Sequence, residues 1–190
     1  MAYATIDDYK RSRTVASDGK GDSIILDALD VAAADIDEWC QRTFTVASGT
    51  SARTFDYSPT GVVRVDDFST TTGLVVSDNG TTLTINEDFF VERPTLSSHP
   101  YHRLRFSPQR WAGTSTWEPL LSVTAAWGWV AIPDQIVRAN VLLAADYMQA
   151  GIASFGAVTF QDAGTLVRIR QNLIVEGLLR TFRRADRTAL

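Results

Sequence analysis

The sequence predicts an α+β fold in which a helical core carries an inserted antiparallel β-segment. Apolar residues recur at three- and four-residue intervals from Ile25 to Cys40 and from Ile136 to Tyr147, as in amphipathic helices. Between these regions, short runs rich in Val, Thr, Phe and Tyr alternate with turn residues, which is typical of strands. The chain has 190 residues and is 45% hydrophobic, so it is long enough to bury a core without disulfides.

The first two helices are predicted before residue 45. Thr5 followed by Asp8 resembles a capping box, which favours a short helix from Thr5 to about Arg13. A flexible link then leads to a longer, acidic helix that begins at Asp22 or Ser23. Its apolar stripe is expected to face the core and its many acidic side chains to face water.

Two further helices are predicted after the β-segment. Pro133 and Asp134 fit the first turn of an Ala- and Leu-rich helix, and Gly151 is its expected end. A glycine-bearing link and a short apolar run, Leu166 to Ile169, precede a last helix from about Asn172 to Arg184.

The middle of the chain is predicted to form an antiparallel β-structure. Asp78-Asn79-Gly80 is a strong indication of a tight hairpin. The stretch from Asn86 to Ser98 is expected to be a loop that leads into a further strand. The candidate strands are Thr54 to Tyr57, Val62 to Val65, Leu74 to Ser77, Thr82 to Asn86, Leu104 to Phe106 and Ser122 to Trp127.

These elements predict one domain, residues 1–190, with recognisable parts. The N-terminal helices occupy residues 1–44 and the inserted β-rich subdomain residues 45–130. The core helix occupies residues 131–151, and a linker with a basic C-terminal helix occupies residues 152–190.

Charge is unevenly distributed along the chain. The net charge of −4 argues against a global field that would attract nucleic acid or an anionic membrane. Residues 164–190, in contrast, contain six arginines and only two acidic residues, Glu176 and Asp186. This basic segment is expected either to contact an acidic partner or nucleic acid, or to be a solvated helix end.

Several features bear on compartment and chemistry. The lone Cys40 excludes an internal disulfide and suits a reducing compartment, so folding in the cytoplasm is expected. The N-terminus lacks the pattern of a signal peptide, and no apolar run is long enough to cross a membrane. No nucleophile elbow, phosphate-binding loop or dinucleotide fingerprint occurs, so neither an enzyme nor a cofactor is predicted.

Three local patterns leave weaker alternatives open. His99 and His102 could share a metal ion, but no further ligands complete a zinc pattern. Carboxylates between Asp66 and Glu92 could form an acid-base pair, although such residues are common at strand ends. Of the tryptophans, Trp127 and Trp129 are expected in the core, whereas Trp111 and Trp117 lie in a predicted loop and are expected to be more exposed.

Four segments carry a resemblance to a known family. In sequence and in order, they resemble the head-tail connector, or adaptor, proteins of long-tailed (siphovirus-type) bacteriophages, and the resemblance spans nearly the whole chain. The β-segment resembles the insertion that larger members carry between their core helices. The segments are Tyr3 to Tyr9 (YATIDDY), Ile36 to Phe44 (IDEWCQRTF), Trp127 to Pro133 (WGWVAIP) and Val175 to Arg184 (VEGLLRTFRR).

The resemblance implies a structural role in the virion neck after assembly in the host cytoplasm. Such proteins form a ring under the portal protein, twelve-fold to match it, through which DNA passes without sequence-specific contact. The ring is the platform for a head-completion, stopper or other neck protein, and it performs no reaction.

This role, together with the charge distribution, predicts two sets of contact residues. The basic last segment is expected to dock on the portal or, alternatively, to meet the acidic first helix of the neighbouring subunit as the opposite side of a head-to-tail ring contact. The residues expected to bind the portal are Arg180, Phe182, Arg183, Arg184 and Arg187. Those expected at the interface between subunits are Asp30, Asp37, Glu38, Trp111 and Trp117. Two alternatives remain: a carbohydrate- or protein-binding module that uses exposed tryptophans of the β-segment, and a small hydrolase that uses the carboxylates between Asp66 and Glu92.

Overall fold

The computed structural model describes residues 2–13, 19, 21–56, 58, 60–92, 94, 99–108, 121–155 and 172–184. The chain folds into two units. We call Met1–Phe44 together with Ile132–Leu190 the helical unit, and Thr45–Ala131 the β unit. Both helices and antiparallel sheets are present, so the predicted α+β fold class is confirmed.

The described part of the helical unit contains four helices. A capping box starts the first, as predicted, because the Thr5 hydroxyl accepts from the Asp8 N–H at 3.1 Å and the Asp8 carboxylate accepts from the Thr5 N–H at 3.0 Å. The second helix packs against the third, and the fourth packs against the third as well. The helices are α1 (Ile6–Arg13), α2 (Asp22–Cys40), α3 (Asp134–Phe155) and α4 (Leu173–Leu179).

The apolar stripe predicted on α2 forms part of the core of the helical unit. Ile25, Leu29 and Ile36 are buried there. They are joined by Ile136 and Leu143 of α3. Burial of these aliphatic side chains is the main stabilising contribution expected in this unit.

Two predicted helix ends are wrong. Helix α3 does not stop at Gly151 but continues to Phe155, because a glycine inside a helix costs only about 1 kcal/mol and does not break it. Helix α4 ends at Leu179 rather than near Arg184. There the chain leaves the helical path so that Phe182 reaches the core, where it is 5% exposed.

The described β unit contains seven strands in two antiparallel sheets. The strands are β1 (Thr50–Phe55), β2 (Val62–Phe68), β3 (Val75–Asp78), β4 (Thr81–Leu83), β5 (Phe89–Val91), β6 (Tyr101–Phe106) and β7 (Leu121–Ala126). One sheet has the strand order β1-β7-β3-β4 and the other the order β2-β6-β5.

Local sequence features explain which strands are predicted well. The hairpin is confirmed, with Asn79 and Gly80 at φ 49° and 81° between β3 and β4, as a two-residue turn of this kind requires. The strand expected after Asn86 is present as β5. Strand β1 begins four residues before its predicted start at Thr54, because an exposed edge strand shows no apolar alternation.

A continuous apolar core holds the β unit together. Phe68, Leu104 and Val123 are fully buried in it, and Trp127 donates its indole N–H to the Ser51 carbonyl at 2.7 Å. Trp129 is also buried, so the core positions predicted for Trp127 and Trp129 are confirmed. Between them, Gly128 has φ +120°, and a Cβ there would lie 2.5 Å from the Thr45 carbonyl oxygen.

Candidate partner-binding surface

The N-terminal segment is held in the helical unit by one buried amide side chain. Asn140 of α3 is fully buried, and its Oδ1 accepts from the backbone N–H groups of Tyr3 at 3.1 Å and Ala4 at 2.9 Å. Its Nδ2 donates to the Leu29 carbonyl of α2 at 2.9 Å. One side chain therefore joins the chain start to both long helices.

The Tyr3 hydroxyl makes a second connection at the end of α2. It donates to the Asp37 carboxylate and accepts from the Phe44 N–H at 3.1 Å. Burial raises the pKa of Tyr3, and its bond to Asp37 raises it further. The pKa of Asp37 is also raised, because burial disfavours the charged carboxylate more than the Tyr3 hydroxyl stabilises it.

The chain after α4 returns to the same end of α2. Phe182 contacts Phe44 edge to face, with ring centroids 5.7 Å apart, and Phe44 contacts Tyr3 in the same way at 5.6 Å. The Arg184 N–H donates to the carbonyl of Cys40, the last residue of α2, at 3.1 Å. The two ends of the described chain thus meet around one helix terminus.

This return brings together a cluster that we call the basic end surface: Trp39, Arg42, Arg183 and Arg184. The Arg183 guanidinium lies over the Trp39 ring, 5.0 Å from its centroid. Arg42 and Arg183 both act electrostatically on the buried Cys40 thiol and lower its pKa, although burial dominates and raises that pKa to about 12. Arg183 is exposed, whereas Arg42 and Arg184 are half-buried.

The electrostatics of α2 explain why cations gather there. The carbonyl end of a helix carries a partial negative charge, and the last turn of α2 adds Asp37 and Glu38 but no basic residue. Arginines from outside the helix therefore supply the complementary charge. Their guanidinium groups are also suited to bind carboxylates of a partner in a bidentate manner.

The opposite end of α2 borders a shallow acidic groove of about 590 Å³. Asp30, predicted at the subunit interface, lines it together with Asp7 and Asp22. Asp22 is paired inside the unit with the buried Lys10, Nζ to Oδ1, at 2.5 Å. A 19-residue helix is about 28 Å long, so the groove at Asp22 and the basic end surface lie near opposite ends of α2.

The structure gives two of the predicted contact residues roles inside the subunit. Phe182, predicted to bind the portal, is buried against Phe44, because the turn after α4 points this ring inward. Asp37, predicted at the subunit interface, is half-buried and bonded to Tyr3. Glu38 and Arg180 are exposed. The predictions for Trp111, Trp117 and Arg187, and the run from Leu166 to Ile169, lie outside the described residues.

The carboxylates of the hydrolase alternative have structural partners. Asp66 binds Arg53 at 2.6 Å, and Glu92 binds Arg105 at 2.6 Å. Asp88 accepts from the Thr84 N–H at 2.8 Å in a turn. The first pair joins a strand of one sheet to a strand of the other, the second joins β6 to the residue after β5, and Asp88 closes a turn. Surface ion pairs and turn residues commonly make such contacts.

The described residues show neither a metal-ligand cluster nor a membrane-spanning helix. His99 contacts the Trp129 ring edge to face, with centroids 5.5 Å apart. Within the described ranges, no group of three or more His, Cys, Asp or Glu side chains could hold a metal ion. None of the helices in the described part of the chain has the length and apolar character needed to span a bilayer.

Comparison with known proteins adds a structural likeness. No protein-family model and no curated protein matches this chain. A chain in the solved neck of the empty gene transfer agent particle, computed with C6 symmetry, matches at a TM-score of 0.52 and 16% identity, covering 94% of this chain and 88% of that one. The two chains share a fold. A chain in the virion of the native gene transfer agent particle matches at a TM-score of 0.50 and 15% identity, covering 93% of this chain and 87% of that one.

Two members of the basic end surface were missed by the sequence analysis. Trp39 and Arg42 lie in a predominantly acidic region, more than 130 residues before Arg183. In the sequence, these two residues stand out only as a Trp in the last turn of a helix that has no cation there and an Arg two residues after the helix ends. The meeting of these residues depends on the turn after α4, which no local pattern predicts.

Proposed function

We propose that the protein is a structural component of the neck of a phage-type virion, a head-tail connector that works without a cofactor or a reaction. The main support is the fold likeness to a chain in a particle neck, which extends over 94% of this chain. In this role the subunits form a ring under the portal protein, twelve-fold in the virion. The ring carries the next neck protein, such as a head-completion or stopper protein, and DNA passes through it.

The basic end surface is our candidate for portal docking. It presents one exposed and two half-buried arginines beside an indole ring, and Arg and Trp are enriched at the centres of protein interfaces. Arg187, three residues beyond Arg184, would extend the positive charge along the chain. An acidic face of the portal is the complementary partner.

Portal binding by purified protein tests both the function and the surface. The mass of the protein is measured by light scattering, alone and with the portal protein from the same genome. We expect a stable complex, and we expect the double variant Arg42→Glu/Arg183→Glu to bind at least about tenfold more weakly, because like charges then face each other.

The matched control is Arg11→Glu/Arg13→Glu, which makes the same charge change on exposed positions of α1. This control should bind like the wild type, and circular dichroism should show that both variants are folded. Full binding by the Arg42→Glu/Arg183→Glu variant would overturn the docking surface. Failure of the wild-type protein to bind the portal would overturn the connector function itself.

A further inference from the structure

Two helices of the helical unit leave aliphatic side chains exposed on their outer faces. On α2, Ile24 and Val31 are 61% and 51% exposed. On α4, Leu173 and Ile174 are 79% and 63% exposed. Isolated exposed aliphatic residues are ordinary, but here each pair shares its helix face with a charge, and the two charges are opposite.

The α2 face has an acidic residue at its centre. Ile24, Asp27 and Val31 follow the i, i+3, i+7 spacing that places side chains on one side of a helix. Asp27 is exposed, and the exposed Ala34 and Glu38 continue this side of α2 toward its C-terminal end. We call Ile24, Asp27 and Val31 the α2 stripe.

The α4 face has a basic residue at its end. Leu173, Gly177 and Arg180 follow the i, i+4, i+7 spacing, and Arg180 keeps helical dihedral angles of φ −53° and ψ −40°. Arg180 is exposed. Apart from Gly177, its chain neighbours and the surrounding backbone of α4, no described heavy atom lies within 4 Å of where a Cβ of Gly177 would be, so another helix has room to approach. We call Leu173, Ile174, Gly177 and Arg180 the α4 stripe.

We infer that the α2 stripe of one copy binds the α4 stripe of a second copy of this chain, an interface that rests on the proposed ring. Ile24 and Val31 are seven positions apart, as are Leu173 and Arg180, so both stripes are about 10 Å long. In an antiparallel pair with Leu173 opposite Val31, Arg180 lies about 4.5 Å along the axis from Asp27, within one helical turn. In a parallel pair with Leu173 opposite Ile24, this offset is about 6 Å. The aliphatic side chains form the centre of the contact and the ion pair fixes its alignment.

This contact is head to tail, because each copy offers a different face to each neighbour. Such heterologous contacts generate a closed ring when the rotation between copies permits it. The inference assigns Arg180 to the contact between subunits rather than to the portal. Arg183 and Arg184, which lie at the end of α2, stay assigned to portal docking.

Charge reversal on the two stripes tests the inference. The variants are Asp27→Arg and Arg180→Glu, and native mass spectrometry measures the assemblies formed alone and on the portal. Neither variant alone should form the ring at concentrations where the wild type does. The protein concentration at which half of the subunits are assembled should rise at least about tenfold, because like charges then face each other. An equimolar mixture should recover a ring that contains both variants equally, because every contact then joins opposite charges.

The controls are Glu87→Arg in the β unit and Arg138→Glu on α3, both exposed charges outside the stripes, and they should assemble like the wild type. If Asp27→Arg or Arg180→Glu alone formed a ring as readily as the wild type, the inference would be overturned but the connector function would stand. Failure of the mixture to recover a ring from folded variants would also overturn it. A wild-type protein that forms no ring, either alone or on the portal, would instead overturn the proposed function.

Discussion

The helical unit and the β unit are stabilised in different ways. In the β unit, backbone ladders connect the strands of each sheet, and buried side chains such as Phe68 and Val123 form one continuous apolar core. The helical unit also has an apolar core, but there hydrogen bonds between segments far apart in sequence hold the chain ends, for example from the Tyr3 N–H to Asn140 and from the Arg184 N–H to the Cys40 carbonyl. The helical unit therefore depends on its chain ends, which are poorly ordered in many proteins.

Both proposed interfaces lie on the helical unit, whose stability depends on contacts made by the chain ends. The basic end surface exists only when the chain after α4 returns to α2, and the α4 stripe exists only when that helix is docked. Loss of a contact at the chain ends should therefore weaken partner binding together with the stability of the helical unit. Comparable changes in the β unit should not affect these surfaces.

The largest effect is expected from Phe182→Ala. Removal of this buried ring leaves a cavity beside Phe44 and should lower the free energy of unfolding by about 3 kcal/mol. Hydrogen exchange should show faster exchange of amides in α2 and α4 and unchanged exchange in β7, with weaker portal binding as a consequence.

Thr181→Ala is the matched control, because Thr181 is exposed next to Phe182. It should leave both exchange and portal binding unchanged. If Phe182→Ala weakened portal binding without any loss of stability, Phe182 would be a direct partner contact, as the sequence analysis predicted. Equal loss of protection in β7 would show that the two units unfold together.

A smaller loss of about 2 kcal/mol is expected from Asn140→Ala. The substitution leaves the N–H groups of Tyr3 and Ala4 and the Leu29 carbonyl without their partner in a buried site. Denaturant unfolding measures the change, and proteolysis should reveal earlier cleavage within residues 2–13. The control Gln135→Ala, an exposed position on α3, should be neutral. An unchanged Asn140→Ala variant would show that these bonds do not hold the N-terminal segment.

Local patterns explain how much of this molecule could be predicted from its sequence. The capping box at Thr5, the apolar stripe of α2 and the Asn79-Gly80 turn act over a few residues, and all three are present. Positions set by distant contacts could not be predicted. Asn140 looks like an ordinary polar residue in a helix, and Phe182 looks like part of a longer helix, until their partners are known.

In the candidate surfaces, too, features set by local sequence were predicted and features set by distant contacts were not. The charge tally identified Arg183 and Arg184 as basic residues in the right unit, but it could not show that Arg42 joins them at the end of α2. The tally also treated the arginines as one group. Helical spacing places Arg180 on one face with Leu173, but only the end of α4 at Leu179 and the turn after it separate Arg180 from Arg183, which lies over Trp39.

The smallest predicted effect is a loss of stability of the helical unit at high pH. Burial raises the pKa of Cys40 from its usual 9.0 to about 12, so the folded chain keeps this proton in a range where the unfolded chain releases it. The free energy of unfolding should therefore fall as pH rises, by about 1 kcal/mol between pH 9 and 10. Above pH 10, Tyr3 and Tyr147 should add to the loss, because burial raises the pKa of each.

Cys40→Ala separates the thiol from the tyrosines. The variant loses some packing at every pH, but its stability should vary less than that of the wild type between pH 9 and 10, as measured by urea unfolding at pH 8, 9 and 10. Cys40, Tyr3 and Tyr147 all lie in the helical unit, so its amides should lose protection before those of β7 as pH rises. Identical pH slopes for Cys40→Ala and the wild type would mean that the thiol titrates alike in both states. The end of α2 would then be open to water, and the basic end surface would lack the rigid support that the buried cluster around Phe44 provides.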